Sequence, residues 1–170
     1  MDPPEAVIED LEAMVAYLMP NKLYLATAES CTAGLIAAAL GSVPGGGKVT
    51  ESGYVVYSPT AKQRLLGVSL ATIDQFGLTS EEVAREMAKG ALEDSEANVA
   101  VATTGVAGPG PMDDIVLGTV CFAGAFTVQG QTSLFSLTHR FKGDRQQVIR
   151  QATWHALGEL KRFHRQVLCR

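Results

Sequence analysis

The chain has 170 residues, 46% of them apolar and 19% charged, with a net charge of −4, which suits one globular domain with its own hydrophobic core. Its basic residues form no continuous stripe, which argues against nucleic acid as a partner. The cysteines are three, far apart and without a CxxC pair, which argues against a disulfide framework, and no run of about 20 apolar residues is present to cross a membrane. We therefore expect a single cytoplasmic domain over residues 1–170.

Hydrophobic periodicity predicts ten elements in the order α β α β α α β β β α. In chain order they are a helix over residues 5–19, a strand over 22–28, a helix ending near 40, a strand over 53–58, a short helix over 60–66, a helix over 80–93, strands over 98–104, 118–126 and 132–141, and a helix from 144. Helices and strands alternate first and a hairpin follows, so we predict an α/β fold. It has three layers, α/β/α, around a mixed, mainly parallel sheet of about five strands.

Local signals support several of these boundaries. Thr79 and Glu82 have the spacing of a capping box ahead of the fourth helix. The segment NVAVATT, residues 98–104, is nearly all apolar at its start, as expected of a strand covered on both faces. A short turn at Gln129-Gly130-Gln131 predicts the hairpin. Residues 41–50 are rich in glycine and are predicted to be a loop.

Ser30 lies between the first strand and the following helix, where open α/β sheets present ligands. The free N–H groups of that helix turn could bind an oxyanion or a phosphate. The alternative is a plain N-cap serine. The junction is not the nucleophile elbow of α/β-hydrolases, because Ala28 and Thr32 stand where that motif needs glycine.

The three histidines, His139, His155 and His164, all lie late in the chain and offer no evident partner for Ser30. A neutral lysine can activate a serine instead. Lys62 follows the second strand, and if the first two strands are neighbours both residues emerge at one edge of the sheet. Tyr57 ends that strand and could orient the pair or relay a proton. The alternatives are a solvated helix lysine and a tyrosine that only packs.

Two further segments offer groups for a ligand. The loop TTGVAGPG, residues 103–110, follows a strand, and its glycines allow backbone N–H groups to approach a ligand closely; the alternative is a structural turn. Asp144 is a candidate N-cap for the last helix. Arg145 could bind a phosphate through two hydrogen bonds, or could be a solvated residue of the first turn.

Taken in order, these pieces resemble the CinA C-terminal domain family over about residues 5–163. The blocks that carry the resemblance are AESCTAGL at 28–35, GSVPG at 41–45, YVVYS at 54–58, Ala61-Lys62, Leu66-Gly67-Val68, TGVAGP at 104–109, GTV at 118–120 and GDR at 143–145.

The resemblance implies an α/β/α fold and a nicotinamide mononucleotide amidohydrolase that needs no metal or other cofactor. The product would be nicotinic acid mononucleotide, in a salvage step of pyridine nucleotide metabolism. It places the nucleophile on Ser30, with Lys62 and Tyr57 as catalytic neighbours. It also implies the stand-alone form of a domain that other members carry behind a second domain, and it is compatible with a homo-oligomer. The expected partner is a small nucleotide, with neither nucleic acid nor membrane.

Our mechanistic hypothesis assigns the substrate contacts to two groups. Backbone N–H groups at the start of the predicted helix, at Cys31 and Thr32, would hold the oxyanion. The phosphoribosyl end would be held by the loop after the third strand and by the last helix, through Thr104, Gly105, Ala107, Gly108 and Arg145.

The sequence departs from the family pattern in two loops. Ser52 and Pro59 stand where the family usually has glycine and asparagine, and Pro111 stands where it usually has a further glycine. These changes leave two alternatives open. One is a nucleotide-binding module of the same fold without catalysis, and the other is an interaction protein of a competence or stress complex.

Overall fold

The computed structural model describes the backbone of residues 5–169 and the side chains of residues 8–169, and within them it contains seven helices and five strands. In chain order they are α1 (Glu5–Leu18), β1 (Leu25–Glu29), α2 (Leu35–Gly41), α3 (Gly46–Val49), β2 (Thr50–Val55), α4 (Pro59–Leu66), α5 (Leu70–Phe76), α6 (Glu81–Glu93), β3 (Val99–Gly105), β4 (Thr119–Val128), β5 (Gln131–Arg140) and α7 (Arg145–Leu168).

The strands form one sheet in the order β2-β1-β3-β4-β5. β1 pairs in parallel with β2 and with β3, whereas β4 is antiparallel to both β3 and β5. Four strands, β2, β1, β3 and β5, therefore run in one direction and end at the same edge of the sheet. This arrangement confirms the predicted mixed, mainly parallel sheet.

Side-chain size differs between the two faces of the sheet. One face carries large apolar residues such as Leu25, Val101 and Phe122, and helices α1, α2, α3 and α7 pack on it. The other face consists mainly of alanines, and helices α4, α5 and α6 cover it. Because successive strand residues point to opposite faces, this alternation builds the three predicted layers.

The alanine face allows close approach of its helices. Gly90 of α6 lies against the end of α4, where a Cβ atom would stand 1.9 Å from the carbonyl oxygen of Leu66. Only glycine fits at this contact. The contact fixes α4, which carries Lys62, relative to the sheet.

Several local predictions were wrong. The first two strands begin about three residues from their predicted starts, and β2 ends at Val55, so Tyr57 follows this strand and does not end it. The helix after Ser30 begins only at Leu35, since Ala33 and Gly34 have positive φ angles of 59° and 91° and form a turn instead. The predicted loop at residues 41–50 contains the short helix α3, and the unpredicted helix α5 fills the gap before α6. Ser80, not Thr79, caps α6, because its side chain accepts from the N–H of Val83.

Within the described part of the chain, no helix has both the length and the apolar character needed to cross a membrane.

Candidate active site

Ser30 stands at the end of β1, at the edge of the sheet where the four strands end. Its backbone N–H donates to the carbonyl of Thr103 at 3.0 Å, which ties it to the end of β3. The side chain is 9% exposed and lines a cavity of about 520 Å³. That volume is in the usual range for small-molecule sites.

Lys62 reaches Ser30 from the first half of α4. Pro59 occupies the first turn of α4, and the Ser58 side chain caps the helix by accepting from the N–H of Ala61 at 3.1 Å. The Lys62 side chain is 1% exposed, and its Nζ lies 3.0 Å from Ser30 Oγ. The sheet order explains the meeting, since β1 and β2 are neighbours and their carboxyl ends adjoin.

Two backbone carbonyls complete the surroundings of Lys62. Its Nζ donates to the oxygen of Val56 at 2.8 Å and to that of Tyr57 at 3.0 Å. A neutral amine has two N–H groups and one lone pair. The two N–H groups match the two carbonyls, which directs the lone pair at the hydroxyl of Ser30.

Burial lowers the pKa of Lys62 from its usual 10.5 to about 8, with the nearby Cys31 thiol opposing the shift slightly. No carboxylate in residues 8–169 forms an ion pair with Lys62. Desolvation therefore acts without a compensating anion. A substantial fraction of Lys62 is neutral near pH 8 and available as a base.

Glu29 organises the turn after Ser30, and sequence reasoning missed it. Its fully buried carboxylate accepts from the backbone N–H groups of Gly34 at 3.0 Å, Ile36 at 3.1 Å and Ala37 at 3.0 Å. Oε2 also accepts from the Thr32 hydroxyl at 2.7 Å. The sequence signal that could have identified Glu29 was its position directly before the candidate serine.

This capping changes the hypothesis for the oxyanion. The amides of the first turn of α2 bind Glu29 and are not free for a ligand. The N–H groups of Cys31 and Thr32 donate to no backbone carbonyl within residues 5–169. They are the donors of this turn that remain for an oxyanion.

Thr32 itself is not on the cavity wall. Its side chain is fully buried, and its hydroxyl bonds to Glu29 and, at 2.8 Å, to the hydroxyl of Thr103. The prediction of Thr32 as a substrate contact concerned its backbone N–H, and that N–H is the part of Thr32 that could serve a ligand. Cys31 does line the cavity.

The backbone and the side chain of Tyr57 contribute to the site in different ways. Its carbonyl oxygen holds Lys62, whereas its ring is 56% exposed and forms part of the cavity wall. The sequence pointed to the side chain, and the backbone contact could not be inferred from residue type.

The loop after β3 forms another part of the cavity wall. Thr104, Gly105, Ala107 and Gly108 all line it, as the sequence predicted. The Thr104 hydroxyl donates to the carbonyl of Leu78 at 2.8 Å, which brings the α5–α6 connection to the cavity. The predicted loop and the residue after it also supply Val106, Pro109, Gly110 and Pro111. Further wall residues, for which the sequence indicated no role in a site, are Leu78, Thr79 and Met112.

Arg145 approaches the cavity from the start of α7. The predicted N-cap, Asp144, forms a full capping box with Gln147, and this fixes the first turn of the helix. The exposed guanidinium of Arg145 donates through Nη1 to the carbonyl of Gly108 and lines the cavity. The structure thus brings every predicted site residue to one cavity except the Thr32 side chain.

The histidines lie elsewhere. His139 and His155 stack at 4.8 Å between ring centroids, and the Nδ1 of His164 bonds to the Tyr17 hydroxyl at 2.8 Å. None of them lines the cavity around Ser30. In the side chains of residues 8–169, no group of three His, Cys, Asp or Glu residues could hold a metal ion.

Comparison with known proteins places this architecture in context. A family model described as the CinA C-terminal domain matches residues 8–164. A CinA-like protein of Chlorobium limicola is 41% identical over 159 residues, and one of Chlorobaculum tepidum is 50% identical over 111 residues. These alignments cover 92% and 65% of this chain. The chain spans only 37% and 26% of the length of these two relatives.

Solved structures of other proteins superimpose on nearly the whole of this chain. The competence/damage inducible protein CihA from Agrobacterium tumefaciens superimposes with a TM-score of 0.86 at 34% identity, covering 96% of this chain and 99% of that one. A protein of the competence-damaged protein (CinA) superfamily from Escherichia coli gives a TM-score of 0.85, also at 34% identity, covering 96% and 94% of the two chains.

Proposed function

Because the chain belongs to the CinA C-terminal domain family, whose solved members include competence/damage inducible proteins, we propose that it is a serine amidase. Its reaction would be hydrolysis of the carboxamide of nicotinamide mononucleotide to nicotinic acid mononucleotide and ammonia. The observation that carries the proposal is the 3.0 Å contact between Ser30 Oγ and the buried Nζ of Lys62. A buried lysine without a carboxylate partner fits a general base better than a structural cation.

The first half of the reaction forms an acyl-enzyme. Neutral Lys62 takes the proton of the Ser30 hydroxyl while Oγ forms a bond to the carboxamide carbon. The electron pair of the C=O bond moves onto oxygen, and the backbone N–H groups of Cys31 and Thr32 hold that oxyanion. Lys62 then gives its proton to the amide nitrogen, the C–N bond breaks, and ammonia leaves.

The second half releases the acid. Lys62 is neutral again after protonating the leaving group, so it can take a proton from water. The hydroxide formed attacks the ester carbon, the C–Oγ bond breaks, and Lys62 returns its proton to Ser30. The net reaction consumes one carboxamide and one water, and it yields one carboxylic acid and one ammonia.

The residues of the cavity wall support a nucleotide as substrate. Beside Ser30 and Lys62, the wall contains the loop of Thr104, Gly105, Ala107 and Gly108 together with Arg145. Glycine-rich backbone and a guanidinium suit the oxygens of a phosphate. The phosphoribosyl group would therefore bind there, with the carboxamide at Ser30.

The test is release of ammonia from nicotinamide mononucleotide by the purified protein beside three variants. Ser30→Ala and Lys62→Met should each lose nearly all turnover while they remain folded, because a general base alone contributes about 10²–10⁴-fold. Lys48→Met is the matched control, since Lys48 is an exposed lysine in α3, and it should retain the wild-type rate. Full turnover by Ser30→Ala would refute the nucleophile.

One observation favours a second candidate, a nucleotide-binding module without catalysis. Pro111, where the family usually has glycine, lies on the cavity wall. A titration that shows binding of the nucleotide, together with no ammonia release by the wild-type protein, would establish this alternative.

A further inference from the structure

The cavity around Ser30 has no acidic wall. None of its described lining residues is an aspartate or a glutamate, while Lys62 and Arg145 are both cationic when protonated. The one aromatic side chain on the described wall is Tyr57. A positive charge on a bound ligand would therefore meet no carboxylate, and it would compete with the proton on Lys62 for the same space.

The charged groups on the elements around Lys62 do not alter the competition between a ligand's positive charge and the proton on Lys62. From the turn after β1, the Cys31 thiol faces Lys62, but burial raises its pKa to about 12, so that it stays neutral. β2 and the residues after it supply only carbonyl oxygens. The carboxylate of Glu29 is held by the amides of α2, and Asp74 of α5 is exposed.

The acids of α6 are also engaged away from Lys62. Glu81 accepts from Ser136 on β5, Glu82 pairs with Arg85, and Glu86 accepts from the N–H of Ser69. Arg145, the other cation of the wall, donates to the carbonyl of Gly108. Lys62 is thus the group whose charge can respond to that of a ligand.

We propose, on the premise of the amidase function, that binding of a positively charged ring beside Ser30 expels the proton from Lys62. The cationic substrate thereby generates the neutral base that attacks it. A neutral amide of the same shape leaves the proton on Lys62 at pH 7 and leaves the base idle.

The expected size of the effect follows from distance. With the carboxamide carbon at Ser30 Oγ, the charge of a nicotinamide ring lies about 6 Å from Nζ, and at an effective dielectric constant of about 20 the repulsion weakens proton binding by about a hundredfold. The Tyr57 ring offsets part of the cost of binding the cation, since an aromatic face attracts positive charge.

Binding without turnover tests the idea. The Ser30→Ala variant is titrated calorimetrically at pH 7 with nicotinamide mononucleotide, in two buffers of different ionisation enthalpy, which gives the number of protons released. The comparison ligand is dihydronicotinamide mononucleotide, which keeps the carboxamide and the phosphate but has an uncharged ring. The control is Ser30→Ala combined with Lys62→Met.

The cationic ligand should release more than about half a proton per molecule bound at pH 7, and close to none at pH 10, where Lys62 is already neutral. The dihydro ligand should release much less at either pH, and the Lys62→Met background should abolish the difference. If that background does not fold, the contrast between the two ligands on Ser30→Ala still decides.

Equal proton release by the two ligands would overturn the inference. It would do so even if the wild-type protein hydrolyses nicotinamide mononucleotide, because that hydrolysis tests the amidase function separately. Absence of ammonia release by the wild-type protein, with charge-dependent proton release intact, would instead reject the amidase and keep the linkage between ring charge and Lys62.

Discussion

At the scale of single residues, Lys62 shows how a fold can supply a base without a histidine. Its ammonium would be costly to bury, because no anion is paired with it. Two carbonyl oxygens satisfy the N–H groups of the neutral amine at 2.8 and 3.0 Å. The neutral form therefore loses no hydrogen bond on burial, whereas the charged form loses its hydration. The environment favours the protonation state that catalysis would need.

This environment predicts the pH dependence of the proposed amidase activity. The base must be neutral, and the pKa of Lys62 in the free protein is about 8. We expect kcat/KM to fall about tenfold per pH unit below that value and to level off above it, since kcat/KM reports the free enzyme. Ammonia release measured from pH 5.5 to 9.5 checks this. A profile that is flat between pH 6 and 9 would contradict a lysine base.

The sequence predicted part of this site and could not predict the rest. The sequence predicted that Ser30 and Lys62 lie close together, because neighbouring parallel strands end at a common edge. The carbonyl of Tyr57 and the buried position of Glu29 depend on backbone path and burial, which residue types do not encode. The prediction for Thr32 concerned its backbone N–H, and the bonds of its buried hydroxyl to Glu29 and Thr103 depend on packing that residue type does not reveal.

At the scale of elements, Glu29 is the N-terminal cap of α2 although it belongs to β1. Gly34 occupies the N-cap position and has no side chain to serve there. The Glu29 carboxylate reaches over it to the N–H groups of Ile36 and Ala37. Strand, turn and helix are thereby joined at one buried anion, and Ser30 is held between them.

Glu29→Gln should destabilise the protein by about 2–4 kcal/mol, because an amide NH₂ would replace an oxygen that accepts backbone N–H bonds, and the bonds to a charged acceptor would be lost. Urea denaturation measures the loss. Glu93→Gln is the control, since Glu93 forms only an exposed pair with Lys89 and should change stability by less than about 1 kcal/mol. Similar losses in both variants would refute the role of Glu29.

The packing of α6 predicts opposite results for two glycine substitutions. Gly90→Ala should cost about 1–3 kcal/mol, because its Cβ would overlap the Leu66 carbonyl. Gly158→Ala in α7 meets no atom within 4 Å, so it should stabilise by about 0.5–1 kcal/mol through helix propensity alone. The stabilities of the two variants are compared by their denaturation midpoints. Stabilisation by both substitutions would mean that α6 does not approach α4 so closely.

The elements that the sequence failed to predict are the short ones. Helices α3 and α5 have four and seven residues, too few for a clear periodic pattern. The long elements α6, β4 and α7 were predicted within about two residues, since their apolar faces repeat over several turns or pleats. The packing of α5 beside α6 supports this helix in the fold, although its short sequence shows no clear helical pattern.

At the scale of the whole molecule, residues distant in the chain meet at one edge of the sheet. Arg145 follows Ser30 by more than a hundred positions, yet it lines the same cavity because β5 runs in the same direction as β1 and delivers the start of α7 there. The topology therefore assigns different parts of the chain to different ends of the substrate.

Arg145→Ala should accordingly raise KM for nicotinamide mononucleotide by about tenfold or more, with kcat changed less than about threefold, because a charge-assisted hydrogen bond contributes about 1.5–3 kcal/mol. Steady-state ammonia release separates the two constants. Arg150→Ala, at an exposed arginine five residues further along α7, serves as the control and should match the wild type. A fall in kcat with unchanged KM would place Arg145 at the reacting carboxamide instead.

The apolar interior and the loops at the edge of the sheet are separate, and this separation determines which amino-acid substitutions the protein can accept. Most of the alanines, valines and phenylalanines that hold the two layers of helices lie away from the cavity, whereas much of the cavity wall is a glycine- and proline-rich segment outside the helices and strands. On the proposed function, substitutions in that segment, such as proline at 111, would redirect the choice of substrate at little cost to the interior. Laboratory evolution of the proposed activity should accordingly begin at residues 106–118.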